Sequence, residues 1–313
     1  MFLAIFGVCF YTLAEKITHS VIALGSFDGV HLGHQYLLRQ LINTAEREHL
    51  RPVIVTFFPH PSHILTPEHP LKLINTIDER VELIKSHGVD TVYVQEFTKV
   101  FARLTAKDFV LNTLVKKLNM DTLILGHDHS FGRNKEGDFD YLVALGHQYG
   151  FKVQQLKPYY QNNLLINSTH LRQVIEQGAF SEVNTLLGYE FSLFGKVIQG
   201  NQLGRKIGFN TANIALDYSN KITPKKGVYI VHSKIGDRNY YGMMNIGFRP
   251  TIDGKTQTIE VHFFDLNKDL YYQKIKVCVL HRLRDEFKFD SIDALRKQLE
   301  KDKQESLDWI KNH

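Results

Sequence analysis

The sequence predicts an α/β fold in two parts, a parallel sheet layered with helices and then a β-rich part closed by one helix. Two patterns carry that prediction. From about residue 21 to 175, short and nearly continuous apolar runs alternate with stretches of helical periodicity. Strands buried on both faces, and the crossover helices that cover them, read this way. Past about residue 188 six short strand-like segments follow at regular spacing, divided by turns rich in Gly or containing Pro, which suits a sandwich or a small barrel. A length of 313 residues accommodates two cores.

Taken in order, residues 21–24 form a compact apolar strand. Leu37, Leu38, Leu41, Ile42 and Ala45 then repeat at helical spacing. Residues 52–58 (PVIVTFF) are β-branched and aromatic and end at Pro59, which cannot continue a ladder. Residues 79–87 read as a helix closed by Gly88, 91–97 as a strand and 101–118 as one long helix. A strand at 122–125 runs into Gly126, and a helix at 141–148 stops at Gly150. Residues 177–188 are the candidate junction, giving expected domains of 1–186 and 187–313. The later strands fall at 191–198, 209–216, 228–233, 240–246, 258–264 and 274–280, with 245–251 (NIGFRPT) as a tight ordered loop. Ile292, Leu295, Leu299, Leu307 and Ile310 share one face of a terminal helix.

A net charge of +5 and a pI near 8.9 favour anionic small ligands but fall short of the dense basic footprint of a nucleic-acid binder. Two cysteines, Cys9 and Cys278, build neither a disulfide framework nor a Cys-rich zinc site, and a reducing cytoplasm is expected. Residues 1–14 are apolar but shorter than a bilayer span and lack a basic leader, so a buried strand or a misassigned start is expected rather than an anchor. No membrane partner is expected; oligomeric state is left open.

The most informative stretch is Gly25-Ser26-Phe27-Asp28-Gly29-Val30-His31-Leu32-Gly33-His34. It follows a strand and opens a helix, where backbone N–H groups and the positive end of the helix dipole favour a phosphate. Two histidines three apart can both face one anion and neutralise charge developing on an α-phosphate. The alternatives are an incidental loop, or zinc, which needs further ligands such as His60 or His63 that spacing alone does not position. Gly126, Asp128 and Phe131 lie where the chain leaves a later strand of the same sheet, at the carboxyl ends where such folds bind ligands. Ser168 and Thr169 read as a helix cap, with Arg172 one turn on, an arrangement that suits a triphosphate or is purely structural.

In the second half Gly200, Gly204, Arg205 and Gly208 make a glycine-rich basic loop without the GK[ST] of a Walker sequence. Thr211 and Asn213, two apart on a strand, present hard oxygens to one side, as Mg²⁺ ligands or as an ordinary polar pair. Glu260 and His262 share a face of an otherwise buried strand, and Glu260 is a candidate general base for a hydroxyl attacking a γ-phosphate.

The strings GSFDGVHLGH, TFFPHP, GHDHSFG and NSTHLR, in that order, resemble the adenylyltransferase module of prokaryotic bifunctional riboflavin kinase/FAD synthetases. The strings GRKIGFNTANI, NIGFRPT, IEVHFFD and RDEFKF resemble the riboflavin kinase module that follows it. The resemblance implies a Rossmann-like HxGH nucleotidyltransferase domain, then a six-stranded antiparallel β-barrel with a C-terminal helix. It implies phosphorylation of riboflavin to FMN, adenylylation of FMN to FAD, and ATP and Mg²⁺ for both steps. His31 and His34 would meet the ATP phosphates, with Gly25, Phe27, Asp28, Gly33, His60, Gly126, Asp128, Phe131, Ser168, Thr169 and Arg172 binding ATP or FMN. In the kinase module Thr211 and Asn213 would hold Mg²⁺ and Glu260 would act as base. Gly200, Gly204, Arg205, Gly208, Asn245 and Arg284 would bind ATP or flavin. Three positions depart from the family: His129 for an aromatic, Asn167 for Ser, and Asn210 for the Pro before Thr211. Asn210 leaves open a monofunctional FMN adenylyltransferase with an impaired kinase; a flavin-binding sensor is the other alternative.

Overall fold

The structure, a computed structural model, describes residues 17–127, 131–133, 136–200, 204, 208–251 and 254–313. The expectations for residues 1–14, and those for Asp128 and Arg205, fall outside these. Contacts divide the chain into two compact units, Met1–Ser168 and Thr169–His313.

The first unit begins with β1 (Ser20–Leu24), α1 (Leu32–Glu48), β2 (Arg51–Phe58), the short α2 (Pro61–Leu65), α3 (Ile77–Ser86) and β3 (Thr91–Glu96). After α4 (Ala106–Phe109) come β4 (Met120–Leu125), α5 (Phe139–Tyr149) and β5 (Lys152–Gln155), then a small hairpin of β6 (Tyr160–Gln161) and β7 (Leu164–Leu165). Five strands pair in the parallel order β3-β2-β1-β4-β5. Alternation on the strands splits the core between the two faces. Ile22, Leu24, Val53, Val55, Leu123 and Leu125 join one apolar cluster, while Val21, Ala23, Ile54 and Ile124 join the other. Every one of these side chains is at most 2% exposed, which is why the strands read as continuous apolar runs.

The long helix expected over residues 101–118 is broken. A 3₁₀ turn at Phe101–Arg103 gives way to an extended Leu104, and Thr105 caps a fresh start by accepting from the Asp108 N–H at 3.0 Å. Helix α4 then passes into a π-helical segment, Val110–Val115. Threonine and aspartate three apart are an N-terminal signal inside the periodic stretch, and it outweighs the periodicity.

The second unit holds α6 (Ser168–Gln177), whose first residue closes the first unit, and α7 (Phe180–Leu187). Residues 177–188 hold the end of α6 and all of α7, which buries Phe180, Val183, Leu186 and Leu187. Then come β8 (Ser192–Ile198), β9 (Ala212–Leu216), β10 (Gly227–Ile235), β11 (Arg238–Thr251), β12 (Gly254–Phe263), β13 (Lys274–Arg284) and α8 (Ile292–Asn312). The six strands close an antiparallel barrel in the order β10-β11-β12-β9-β8-β13. Residues 245–251 are the end of β11, paired with β12 through Thr251, and not a loop. Gly195 is required where β8 meets β9, since a Cβ there would lie 2.3 Å from the Ala215 carbonyl oxygen. Helix α8 is pinned to β13 by Arg284, whose Nε and Nη2 donate to the two carboxylate oxygens of buried Asp302 at 2.8 and 2.6 Å.

Candidate functional site

In the first unit the chain order reverses between β1 and β4, so the loops leaving these strands open a crevice at their carboxyl ends. Gly25 begins one loop and Gly126 the other, and the register Ala23 to Ile124 makes the two loops neighbours. The first loop is tightly built. Phe27 and Val30 have φ of 49° and 34° on either side of Gly29 at 92°. A bulky and a β-branched residue at positive φ are strained, and such strain gathers at ligand clamps.

His31 ends that loop as the N-cap of α1, and its Nδ1 accepts from the His34 N–H at 3.4 Å. The two imidazoles stack with centroids 3.8 Å apart, and Phe27 lies against His34 at 5.2 Å. Gly33 fits between them because a Cβ would sit 3.1 Å from the Ile166 carbonyl and 3.2 Å from the His31 ring. Both histidines thus stand at the amino end of a 17-residue helix, where anions are favoured. Among the described residues no metal-ligating group of three includes them.

The other predicted residues divide into those that edge the crevice and those that shape it. His60 follows β2 at the same edge of the sheet and caps α2, with its Nδ1 2.8 Å from the Ser62 hydroxyl. Asp28 is fully buried, and its carboxylate accepts from the Ile74 and Asn75 N–H groups at 3.0 Å. The Ser168 hydroxyl donates to the Asp28 carbonyl at 2.8 Å, tying the first residue of α6 to the loop. Phe131 packs edge-on against Phe109 at 5.7 Å. Thr169 is exposed and Arg172 half-buried on the first turns of α6, in the second unit.

In the barrel the ladder assembles its own cluster. Asn213 on β9 faces Glu260 on β12, which faces Asn245 on β11, one continuous row across three strands. The Thr211 hydroxyl lies 3.4 Å from Glu260 Oε2. Gly200 abuts the Asn213 amide so closely that a Cβ there would overlap it at 2.2 Å. Gly204 accepts from the Phe209 N–H at 2.9 Å, and Gly208 takes a φ of 83°. Arg284, by contrast, spends its guanidinium on Asp302 and on the Asp285 carbonyl, so it acts here through α8.

Sequence reasoning missed two parts of this site. A cavity of about 660 Å³ opens beside Thr211, lined also by Phe209, His262, residues 265–271 and Lys303 of α8. The loop reads as an ordinary polar turn, and Lys303 as one charge on a solvated helix face. His262 does more than share a face with Glu260: its Nδ1–H donates to the Asn210 carbonyl at 2.8 Å. Burial holds the His262 pKa below its ordinary value, with Lys303 adding to the depression.

The first unit thus presents an HxGH loop at the switch point of a parallel sheet, and the second a closed barrel with an Asn-Glu-Asn row. A family model described as FAD synthetase matches residues 13–170, and one described as riboflavin kinase matches residues 187–310. The bifunctional riboflavin kinase/FMN adenylyltransferase of Bacillus subtilis (strain 168) is 36% identical over 96% of this chain and 96% of its own. Its counterpart in Escherichia coli (strain K12) is 36% identical over 90% of each chain, and that of Buchnera aphidicola subsp. Acyrthosiphon pisum 34% identical over 93% and 94%. A crystal structure described as a macrolide-efflux protein from Streptococcus pneumoniae superposes with a TM-score of 0.85 at 36% identity, covering 93% of this chain and 95% of that one. The chain belongs to the bifunctional riboflavin kinase/FMN adenylyltransferase family. Among the described residues no helix is long and apolar enough to cross a membrane.

Proposed function

We propose that this chain, working in the cytoplasm, converts riboflavin and ATP to FMN on its barrel and FMN and ATP to FAD on its parallel-sheet unit, releasing pyrophosphate in the second step. We take the module boundary between residues 186 and 187, a choice supported by the start of the riboflavin kinase match at residue 187.

The observation that carries the reading is the Asn213-Glu260-Asn245 row with the Thr211 hydroxyl beside it. Glu260 accepts the proton of the ribityl hydroxyl as that oxygen attacks the γ-phosphorus of ATP, the bond to the β,γ-bridging oxygen breaks and ADP leaves. Hydroxyl and amide oxygens are hard donors that suit Mg²⁺, so Thr211 and Asn213 would hold it. Mg²⁺ held there would supply neutralisation of phosphate charge. The neighbouring cavity of about 660 Å³ is within the range of small-molecule sites and takes the nucleotide. A silenced kinase is not favoured, because the Asn210 carbonyl is held by His262 and that bond steadies the chain before Thr211 without a proline.

In the sheet unit, His31 and His34 meet the α-phosphate where charge builds as the FMN phosphate oxygen attacks and pyrophosphate leaves. Their stacking and the N-cap bond fix both rings before substrate arrives. Asp28 and Ser168 brace the loop that carries them.

The test is chromatographic. Protein is incubated with Mg²⁺-ATP and riboflavin in one tube, and with Mg²⁺-ATP and FMN in another. FAD in both supports the two-step reading. FAD from FMN alone, with riboflavin untouched, reduces the chain to an adenylyltransferase, and FAD in neither removes the reading.

A further inference from the structure

We propose that Glu190, His232 and Cys278 form a binding site for a divalent cation of the zinc type on the outside of the barrel. The site involves neither nucleotide site and rests on its own geometry.

The ladder builds it. His232 on β10 and Cys278 on β13 are direct partners, and Cys278 is also opposite Ser192 on β8. Glu190 precedes Ser192 by two residues and brings its carboxylate onto the same row. One ligand atom from each of the three lies within 4.8 Å of the others. Ligands of one tetrahedral zinc stand roughly 3–4 Å apart, given bonds of about 2.0–2.3 Å, so only a small closure is needed. Along β13 the apolar side chains Ile275, Val277 and Val279 face the core, so Cys278 points the other way, with Lys274 and Lys276.

The chemistry of the donor set is selective. Thiolate, imidazole and carboxylate together match zinc and not the hard Mg²⁺ of the kinase reaction. Three protein ligands leave a fourth position for water. His232 already turns its Nε2 toward Glu190 at 2.7 Å, so imidazole and carboxylate converge on one point. Without a metal the thiol is inert, since burial and then the Glu190 charge push it up to about 11, which argues against a nucleophilic role for the same trio. A bound cation lowers it.

Position gives the site its meaning. The Asn-Glu-Asn row occupies β9, β12 and β11, and the cation site draws on β13, β10 and the segment entering β8, the other three strands of the closed ring. Zinc therefore clamps the half of the barrel that performs no chemistry, and full kinase turnover needs only Mg²⁺-ATP.

The test uses the full chain without nucleotide and Co²⁺ as a coloured substitute for Zn²⁺. Wild type should develop a thiolate-to-cobalt charge-transfer band that saturates at about one equivalent and is displaced by Zn²⁺. Cys9→Ser should keep that band and Cys278→Ser should lose it. Glu190→Gln, at an exposed position, should keep the fold and weaken Co²⁺ binding about tenfold or more. Absence of the band in wild type, or its loss with Cys9→Ser, overturns the proposal. Should Cys278→Ser fail to fold, Glu190→Gln and His232→Asn decide, and unchanged Co²⁺ affinity in both overturns it as well.

Discussion

Arg80 Nη2 stands 3.9 Å from Asp28 Oδ1, and both side chains are buried beneath the loop that presents His31. The same guanidinium reaches the Thr56 hydroxyl and the Phe57 carbonyl at 3.4 Å, so one cation ties the end of β2 to the loop after β1. Breaking a buried pair strands the remaining charge, at about 3–5 kcal/mol. Arg80→Met should therefore lower the urea concentration at which FAD formation is lost, while that for FMN formation stays put. Equal shifts in both would mean that the pair does not serve the sheet unit alone.

The stacked histidines predict a division of labour. His31→Ala with His34→Ala should cut FAD formation from FMN by at least about 10²–10³-fold, the scale for removing an oriented charge-stabilising group. FMN formation from riboflavin should persist at the wild-type rate. Product chromatography reads both, and parallel loss would overturn the assignment.

Glu260→Gln should have the opposite profile. Gln preserves the shape of the row between Asn213 and Asn245 but cannot take a proton. Turnover of riboflavin should fall about 10²–10⁴-fold, the usual contribution of a general base, and FAD formation from supplied FMN should be unaffected. An unchanged riboflavin rate removes Glu260 as base.

His262 predicts a pH effect on stability. Its folded pKa is depressed below the ordinary 6.5, chiefly by burial, and His281 is depressed likewise. The unfolded chain then takes up protons first as the pH falls. The stabilisation is full above about 6.5 and is lost as the pH drops toward the depressed values. Denaturant midpoints for the barrel should decline through that window. His262→Asn should flatten the decline and, by keeping a donor toward the Asn210 carbonyl, largely preserve kinase turnover. His262→Ala should flatten it too but raise the requirement for Mg²⁺-ATP.

Most of the strands were legible because burial on both faces leaves runs such as PVIVTFF that nothing else explains. The HxGH loop was legible because its glycines and histidines sit between a strand and a helix. Residues 101–118 were not, because a Thr105 cap is a local choice that periodicity averages away. Asp28 and Arg284 read as ligand contacts from their motifs, yet their side chains are engaged by Ile74 and Asp302, partners 46 and 18 residues away that no local pattern reveals. The Lys303 side of the barrel cavity was hidden for the same reason, since it depends on how α8 returns to the barrel.

The strand order of the barrel has a consequence for synthesis on the ribosome. All five strands of the parallel sheet have been made once residue 155 has emerged, so the sheet can assemble early. The barrel cannot, because β13 is the stave between β8 and β10 and is the last to be made. Until residue 284 is free, two strand edges stay open and unpaired. A chain ended before Lys274 should therefore retain FAD formation but aggregate through its unfinished barrel, and the final forty residues matter as much for solubility as for catalysis.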